Sequence, residues 1–375
     1  MGLNLIIGRS KSGKSEFMYK RVEQAEISGK QVVILVPDFA RIVAEEEYLK
    51  YFSKDCVLGT KITTLSRFIS QNIDKAKLYQ DKQFLPDLSR KFVIKKCIDE
   101  NPEMFNIFKK VKNTPGFVDK VDNLFKIFEN EELTINTLDE VYPESDFLKA
   151  KLAELLGICG QIHEYTNARF IDSTDEISYF IEAVLNKETI PDNAEFFFDG
   201  YNNFTRKEYG VILSLLRRGI TVNITLDLDL NRDSDIFDIS YDTYSKLKMY
   251  AKLEGVQLDE KVINKTLEKI PEDLKYLQRN IFNNVVDKYE KNVNNVTINV
   301  YSNPMEEVQA IAQDIILKVQ SGKYRYKDIC ILYNNPDVYD IVFTRVIGKY
   351  NIPMYVGQKI NIQNNRLTCF LVNVL

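Results

Sequence analysis

At 375 residues, 45% hydrophobic and 28% charged, the chain has the composition of an ordinary folded protein with room for two or three domains. A net charge of −4 argues against bulk electrostatic capture of nucleic acid and leaves open only a local basic groove. No apolar run is long enough to span a bilayer, and the opening MGLNLIIG is too short and uncharged for a signal peptide, so the expectation is a cytoplasmic protein with no membrane partner.

Leu3-Asn4-Leu5-Ile6-Ile7 reads as a strand that runs directly into Gly8-Arg9-Ser10-Lys11-Ser12-Gly13-Lys14-Ser15. The spacing G-x-x-x-x-G-K-[ST] lets a loop turn its backbone N–H groups around a phosphate, with Lys14 reaching the β/γ oxygens and the Ser15 hydroxyl available to Mg²⁺. Glu16 to Gln24 reads as a helix whose N-terminus adds partial positive charge. The competing reading is a Gly/Ser turn that carries surface lysines.

VVILVP at 32–37 is a continuous apolar run typical of a buried parallel strand, and Ala40 to Phe52 has helical spacing, giving a βαβα start and a parallel sheet. Short apolar material at Ile62 to Leu65 and another helix follow. From 71 to 190 no strand stands out, while helical patterns recur around Phe92, Phe117 to Phe128 and Phe147 to Leu156. Basic residues gather there between Arg90 and Lys126, most simply as solvated helix faces balanced by acids. The sheet resumes at Glu195-Phe196-Phe197-Phe198-Asp199; Tyr209 to Leu216 is helical and Thr221 to Leu226 is a further strand.

Asn292 to Asn295 resembles a linker, after which Val296 to Tyr301, a helix from Glu306 to Gln320 and a strand from Asp328 to Tyr333 open a second α/β unit. The last residues, FLVNVL, carry no cap, charge or turn, so a longer chain is expected. The predicted organisation is 1–70 plus 190–290 as the first α/β domain, 71–189 as a helical insertion, and 291–375 as the start of a second domain.

The five cysteines, Cys56, Cys97, Cys159, Cys330 and Cys369, show no C-x-x-C spacing and have a single histidine, His163, to help them. Reduced core thiols are expected, with no zinc or iron-sulfur site. Asp199, at the end of its apolar strand, is the candidate second acid for Mg²⁺, on a strand expected next to the phosphate-loop strand; the alternative is a plain Asp-Gly turn. Gly200 follows where a hydrolytic helicase places a glutamate.

Four segments, GRSKSGKS, VPDFARIVAEEEYL, FFFDGYNNFTRKEYGVILSLL and YSNPMEEVQAIAQDI with DICILYNN, together resemble the N-terminal part of the AddB subunits of AddAB helicase-nucleases. The resemblance implies a P-loop NTPase fold of the superfamily 1 helicase type, with RecA-like domains and a helical insertion, acting with an AddA-like motor subunit on DNA double-strand breaks. It implies ATP and Mg²⁺ as cofactors and an iron-sulfur cluster only in a nuclease domain beyond Leu375. Gly8, Gly13, Lys14 and Ser15 match the phosphate loop, and Asp199 the Walker B acid. The motor pattern D-E-x-Q-D is replaced by Asp199-Gly200-Tyr201-Asn202-Asn203, and Asp227-Leu228-Asp229 has no γ-phosphate-sensing Gln, so nucleotide binding without efficient turnover is expected. The usual V-P-E-Q appears as Val36-Pro37-Asp38-Phe39.

Thr64, Ser66, Arg67 and Phe68 fall where related helicases contact single-stranded DNA; hydroxyl, cation and ring together suit phosphate contact and base stacking. The alternative puts Leu65 and Phe68 in the core with Ser66 as a helix cap. Three readings stay open: a degenerate helicase-like subunit that binds ATP and DNA, an active P-loop ATPase or kinase, and a scaffold with a vestigial loop.

Overall fold

The computed structural model describes residues 2–53, 59–79, 82–133, 145–167, 169–230, 235–263, 270–281, 288–355 and 365–374. The chain divides into two units, one of Met1–Ile270 with Arg279–Val286 and the other of Pro271–Gln278 with Asp287–Leu375. Cys56 lies outside the described residues.

In the first unit the apolar runs become strands β1 (Leu3–Gly8), β2 (Gln31–Leu35), β3 (Thr60–Thr63), β6 (Ala194–Phe198) and β7 (Thr221–Asp227), joined by β8 (Leu258–Val262). They form one sheet in the order β3-β2-β6-β7-β1-β8, and every pairing is parallel. Such a sheet needs cover on both faces, which is why its inner strands are apolar at nearly every position. Helices α1 (Lys14–Ile27) and α2 (Arg41–Phe52) cover one face, where Met18, Val22 and Tyr48 meet Ile6, Val32, Ile34 and Phe197. The opposite face packs Leu5, Ile7, Phe196, Phe198 and Ile224 against α3 (Leu65–Asn72), α8 (Ser173–Leu185), α9 (Arg206–Arg217) and α10 (Asp238–Leu253). Because all strands run the same way, the loops after β1, β2, β3, β6 and β7 emerge at one edge.

Between β3 and α8 lie α4 (Lys75–Tyr79), α5 (Asp87–Glu100), α6 (Pro115–Asn130) and α7 (Asp146–Asn167), with a core of their own around Ile94, Phe105, Val121, Phe125 and Ile162. Two short strands, β4 (Gln83–Phe84) and β5 (Phe170–Ile171), also pair here; two residues are too few to leave a period-2 signal in the sequence. The basic residues of this region are not all on solvated faces. Arg90 is buried, donating to Asp122 at 2.6 Å and Asp87 at 2.9 Å, because its charge is met by acids from other turns and helices. Lys91 and Lys95 do sit at the surface, paired with Asp119 and Asp99.

The second unit contains residues of α11 (Glu272–Asn280), then α12 (Pro304–Gln320), α13 (Pro336–Lys349) and α14 (Arg366–Val374). Val308, Ala312, Ile315, Phe343, Val346 and Ile347 form the core between α12 and α13. The expected linker is tied down: the Asp273 carboxylate accepts from the backbone N–H of Asn294 at 3.0 Å and of Asn295 at 2.9 Å. The strands predicted at Val296 to Tyr301 and Asp328 to Tyr333 are not formed among the described residues. A strand requires a hydrogen-bonded neighbour as well as β-branched side chains; neither segment has one, and Ile298, Val300 and Leu332 are exposed. No described helix is long and apolar enough to cross a membrane.

Candidate functional site

β1 delivers the chain into a loop whose backbone bends back on itself, the Ser12 N–H donating to the Arg9 carbonyl at 3.1 Å. Lys11 and Gly13 take left-handed conformations, with φ of 58° and 95°, and such alternation turns successive N–H groups toward a common concavity. Gly8 is required by close approach: a Cβ there would lie 2.5 Å from the Ile263 carbonyl oxygen and from the Ser12 hydroxyl. Gly13 is the N-cap of α1, so no side chain caps the helix terminus that faces the loop. The Ser12 hydroxyl is buried without a hydrogen-bond partner, an uncompensated polar group in a loop otherwise rich in donors. Ser10, Lys11 and Ser15 are exposed.

The Lys14 ammonium turns inward. It donates to the Gly8 and Arg9 carbonyls, both at 2.8 Å, and to the Asp227 carboxylate at 2.5 Å. Arg9 makes a second bridge to the same segment, its Nε donating to Asp229 at 2.8 Å while the guanidinium lies 5.9 Å from the centre of the Phe237 ring.

Asp199 follows β6 at the same sheet edge, but its strand is not next to β1; β7 lies between them. Neighbourhood in a parallel sheet is set by crossovers, which the strand sequences do not encode. Thr225 of β7 fills the gap: its hydroxyl donates to Asp199 at 2.5 Å and accepts from the Gly200 N–H at 3.3 Å. Burial pushes the Asp199 carboxyl above the ordinary carboxylate value, against the pull of Thr225 and Lys14 and with a push from the nearby Asp227 charge. Gly200 has φ +78°, a conformation that strains any side-chain-bearing residue, so the glutamate missing from the sequence is also unwelcome to the backbone. A Mg²⁺ held here with a nucleotide would take its protein oxygens from the Ser15 hydroxyl and the Asp199 carboxylate, hard donors of the kind such a cation takes. Among the described residues no group of three or more His, Cys, Asp or Glu is arranged to hold a metal by itself.

At the far end of the edge, Thr64 is the N-cap of α3, its hydroxyl accepting from the Arg67 N–H at 3.4 Å. The cap is therefore Thr64 and not Ser66. Phe68 is buried, packed edge-on against Phe196 at 5.4 Å and Phe180 at 6.0 Å, which leaves its ring no face for a nucleic-acid base. Only Ser66 and Arg67 of this group are exposed.

A family model described as ADDB, N-terminal, matches residues 5–278, well over half of the chain. The chain belongs to the AddB N-terminal family. Relatives named as B-type subunits of an ATP-dependent helicase/deoxyribonuclease agree: the protein of Clostridium perfringens strain 13 is 26% identical over 99% of the chain. Those of Acetivibrio thermocellus and Alkaliphilus metalliredigens are 26% and 25% identical over 100% and 97% of it. The chain spans about a third of the length of these curated relatives, 33% to 34%.

Sequence reasoning about this AddB-family chain singled out Lys14 and Asp199 but missed what Thr225, Asp227 and Asp229 do. The acids at the end of β7 were visible in the sequence as Asp227-Leu228-Asp229, but their place beside the loop follows only from the β1–β7 pairing.

Proposed function

We propose that this part of AddB is a nucleotide-binding, helicase-like body that binds Mg²⁺-ATP at residues 8–15 and Asp199, and turns it over slowly or not at all. The observation that carries this reading is the placement of the G-x-x-x-x-G-K-[ST] loop and Asp199 at one edge of a parallel sheet, with a single strand between β1 and β6. This strand order supports a RecA-like P-loop domain, in which anions bind beyond the carboxyl ends of the strands. Slow turnover is supported by Gly200, since a positioned general base is worth roughly 10² to 10⁴ in rate.

The body works in a cytoplasmic complex with an AddA-like subunit, on DNA ends; the names of the relatives support a subunit of a helicase and deoxyribonuclease. Single-stranded DNA is contacted through the exposed Ser66 and Arg67. They lie at the β3 end of the edge, four strand spacings or about 19 Å from β1, at about 4.8 Å each.

The test is binding of a fluorescent ATP analogue with Mg²⁺, with phosphate release followed in the same samples. Binding with negligible release is expected. Release at several per second would instead identify an active motor, and an absence of binding would leave a scaffold with a vestigial loop.

A further inference from the structure

We propose that Asp227 is a built-in competitor for the nucleotide: a carboxylate that occupies Lys14 and that an incoming phosphate group must displace. The inference rests on the reading of residues 8–15 as a nucleotide site. A lysine ammonium has three donors. In Lys14 all three are engaged, two by the loop's own carbonyls of Gly8 and Arg9 and the third by Asp227 at 2.5 Å. The carbonyls belong to the folded loop, so the bond to Asp227 is the one a phosphate oxygen can replace with like for like.

The competitor is held in place by the sheet. Asp227 is the last residue of β7 and stands in register with Gly8, the last residue of β1. The next residue continues the attachment, the Leu228 N–H donating to the Gly8 carbonyl at 3.2 Å. The carboxylate therefore stays beside the loop at the strand end, without depending on a distant element. Asp229 acts in parallel on Arg9. Both inward-turned cations of the loop, Lys14 and Arg9, thus already face a carboxylate. A nucleotide polyphosphate entering here meets a carboxylate where a phosphate loop normally offers uncompensated positive charge, and a divalent cation is needed to hold both anions together.

Two consequences follow for nucleotide affinity: removing the Asp227 charge strengthens it, and dependence on Mg²⁺ weakens with the same substitution. The experiment titrates a fluorescent ATP analogue, with and without Mg²⁺, into wild type, Asp227→Asn, Asp227→Ala and Asp192→Asn. Asp192 pairs with Arg218 ahead of β6, at the opposite edge of the sheet, and controls for the overall loss of one negative charge. Asp227→Asn and Asp227→Ala are expected to bind about tenfold tighter than wild type, the scale of one charge-assisted hydrogen bond. Their ratio of affinities with and without Mg²⁺ should shrink, and Asp192→Asn should change affinity less than twofold. Wild type binding normally while both Asp227 variants bind equally or more weakly would overturn the competitor and leave the nucleotide site standing. Failure of wild type and both variants to bind at all would overturn the nucleotide site and the competitor together.

Discussion

Replacing Thr225 by valine tests how the second acid is supported. The side chain keeps its shape, but Asp199 loses the 2.5 Å bond from the hydroxyl and the Gly200 N–H loses its 3.3 Å acceptor. A hydrogen bond to a charged group contributes about 1.5–3 kcal/mol, and the added methyl returns up to about 0.8 kcal/mol by burial. Gly200 is exposed, so its amide can bond water, and the net cost at pH 7 is about 1–2 kcal/mol. The pH dependence follows from the raised pKa of Asp199. A carboxyl whose folded pKa lies above its unfolded value is a full asset below the unfolded value, and that contribution is lost as pH rises through the folded one. Thr225 softens this loss. The difference between variant and wild type is therefore larger where Asp199 is ionised and shrinks as pH falls through its raised folded pKa, below which only a neutral hydrogen bond is at stake. Urea unfolding read by hydrogen exchange of the β6 and β7 amides isolates the sheet from the second unit. A cost below about 0.5 kcal/mol at pH 7, or one that does not change with pH, would refute the assigned role of Thr225.

Asp122→Ala strands the buried Arg90 guanidinium with only Asp87 and the more distant Asp172, and should cost about 3 kcal/mol; Arg90→Met with Asp122→Leu should recover most of it, as thermal unfolding of single and double variants would reveal. Burial pushes the Cys159 thiol up to about 12 and raises Cys97 as well, so iodoacetamide at pH 8 should label Cys330 and Cys369 in the folded chain and reach Cys97 and Cys159 only on unfolding, read by peptide mass. The Arg325 side chain holds Asp328 at about 2, so this carboxylate supports its turn above the unfolded value of about 3.9 and ceases to do so as pH falls toward 2. A carbon-detected NMR titration should place its midpoint near 2, and Arg325→Ala should return it to the ordinary range; an unmoved midpoint would contradict the pairing.

The inner strands were legible because a parallel strand buried on both faces is written as a nearly continuous apolar run, as in LNLIIG and AEFFF, broken only by Asn4 and Glu195. The polar edge strand β8, LDEKV, carries no such run and escaped notice. Strand order was invisible for a different reason: Lys14 and Asp227 are 213 residues apart, and only the β1–β7 pairing brings them together. Phe68 has the residue type of a base-stacking platform, and what removes it is burial against Phe180 and Phe196 from distant elements. Arg90 makes the same point for charge, since its partners Asp122 and Asp172 come from α6 and the cap of α8. In the second unit the β-branched residues raise the propensity for extended backbone, but a ladder is a property of two segments and no single run can specify it.

The central claim, that residues 8–15 form a nucleotide site, is tested most directly by calorimetric titration of Mg²⁺-ATP into wild type and Lys14→Ala. Saturable one-to-one binding to wild type that is lost in Lys14→Ala is the predicted result. Equal binding by the two proteins would contradict it, because Lys14 would then contribute nothing to holding the phosphates.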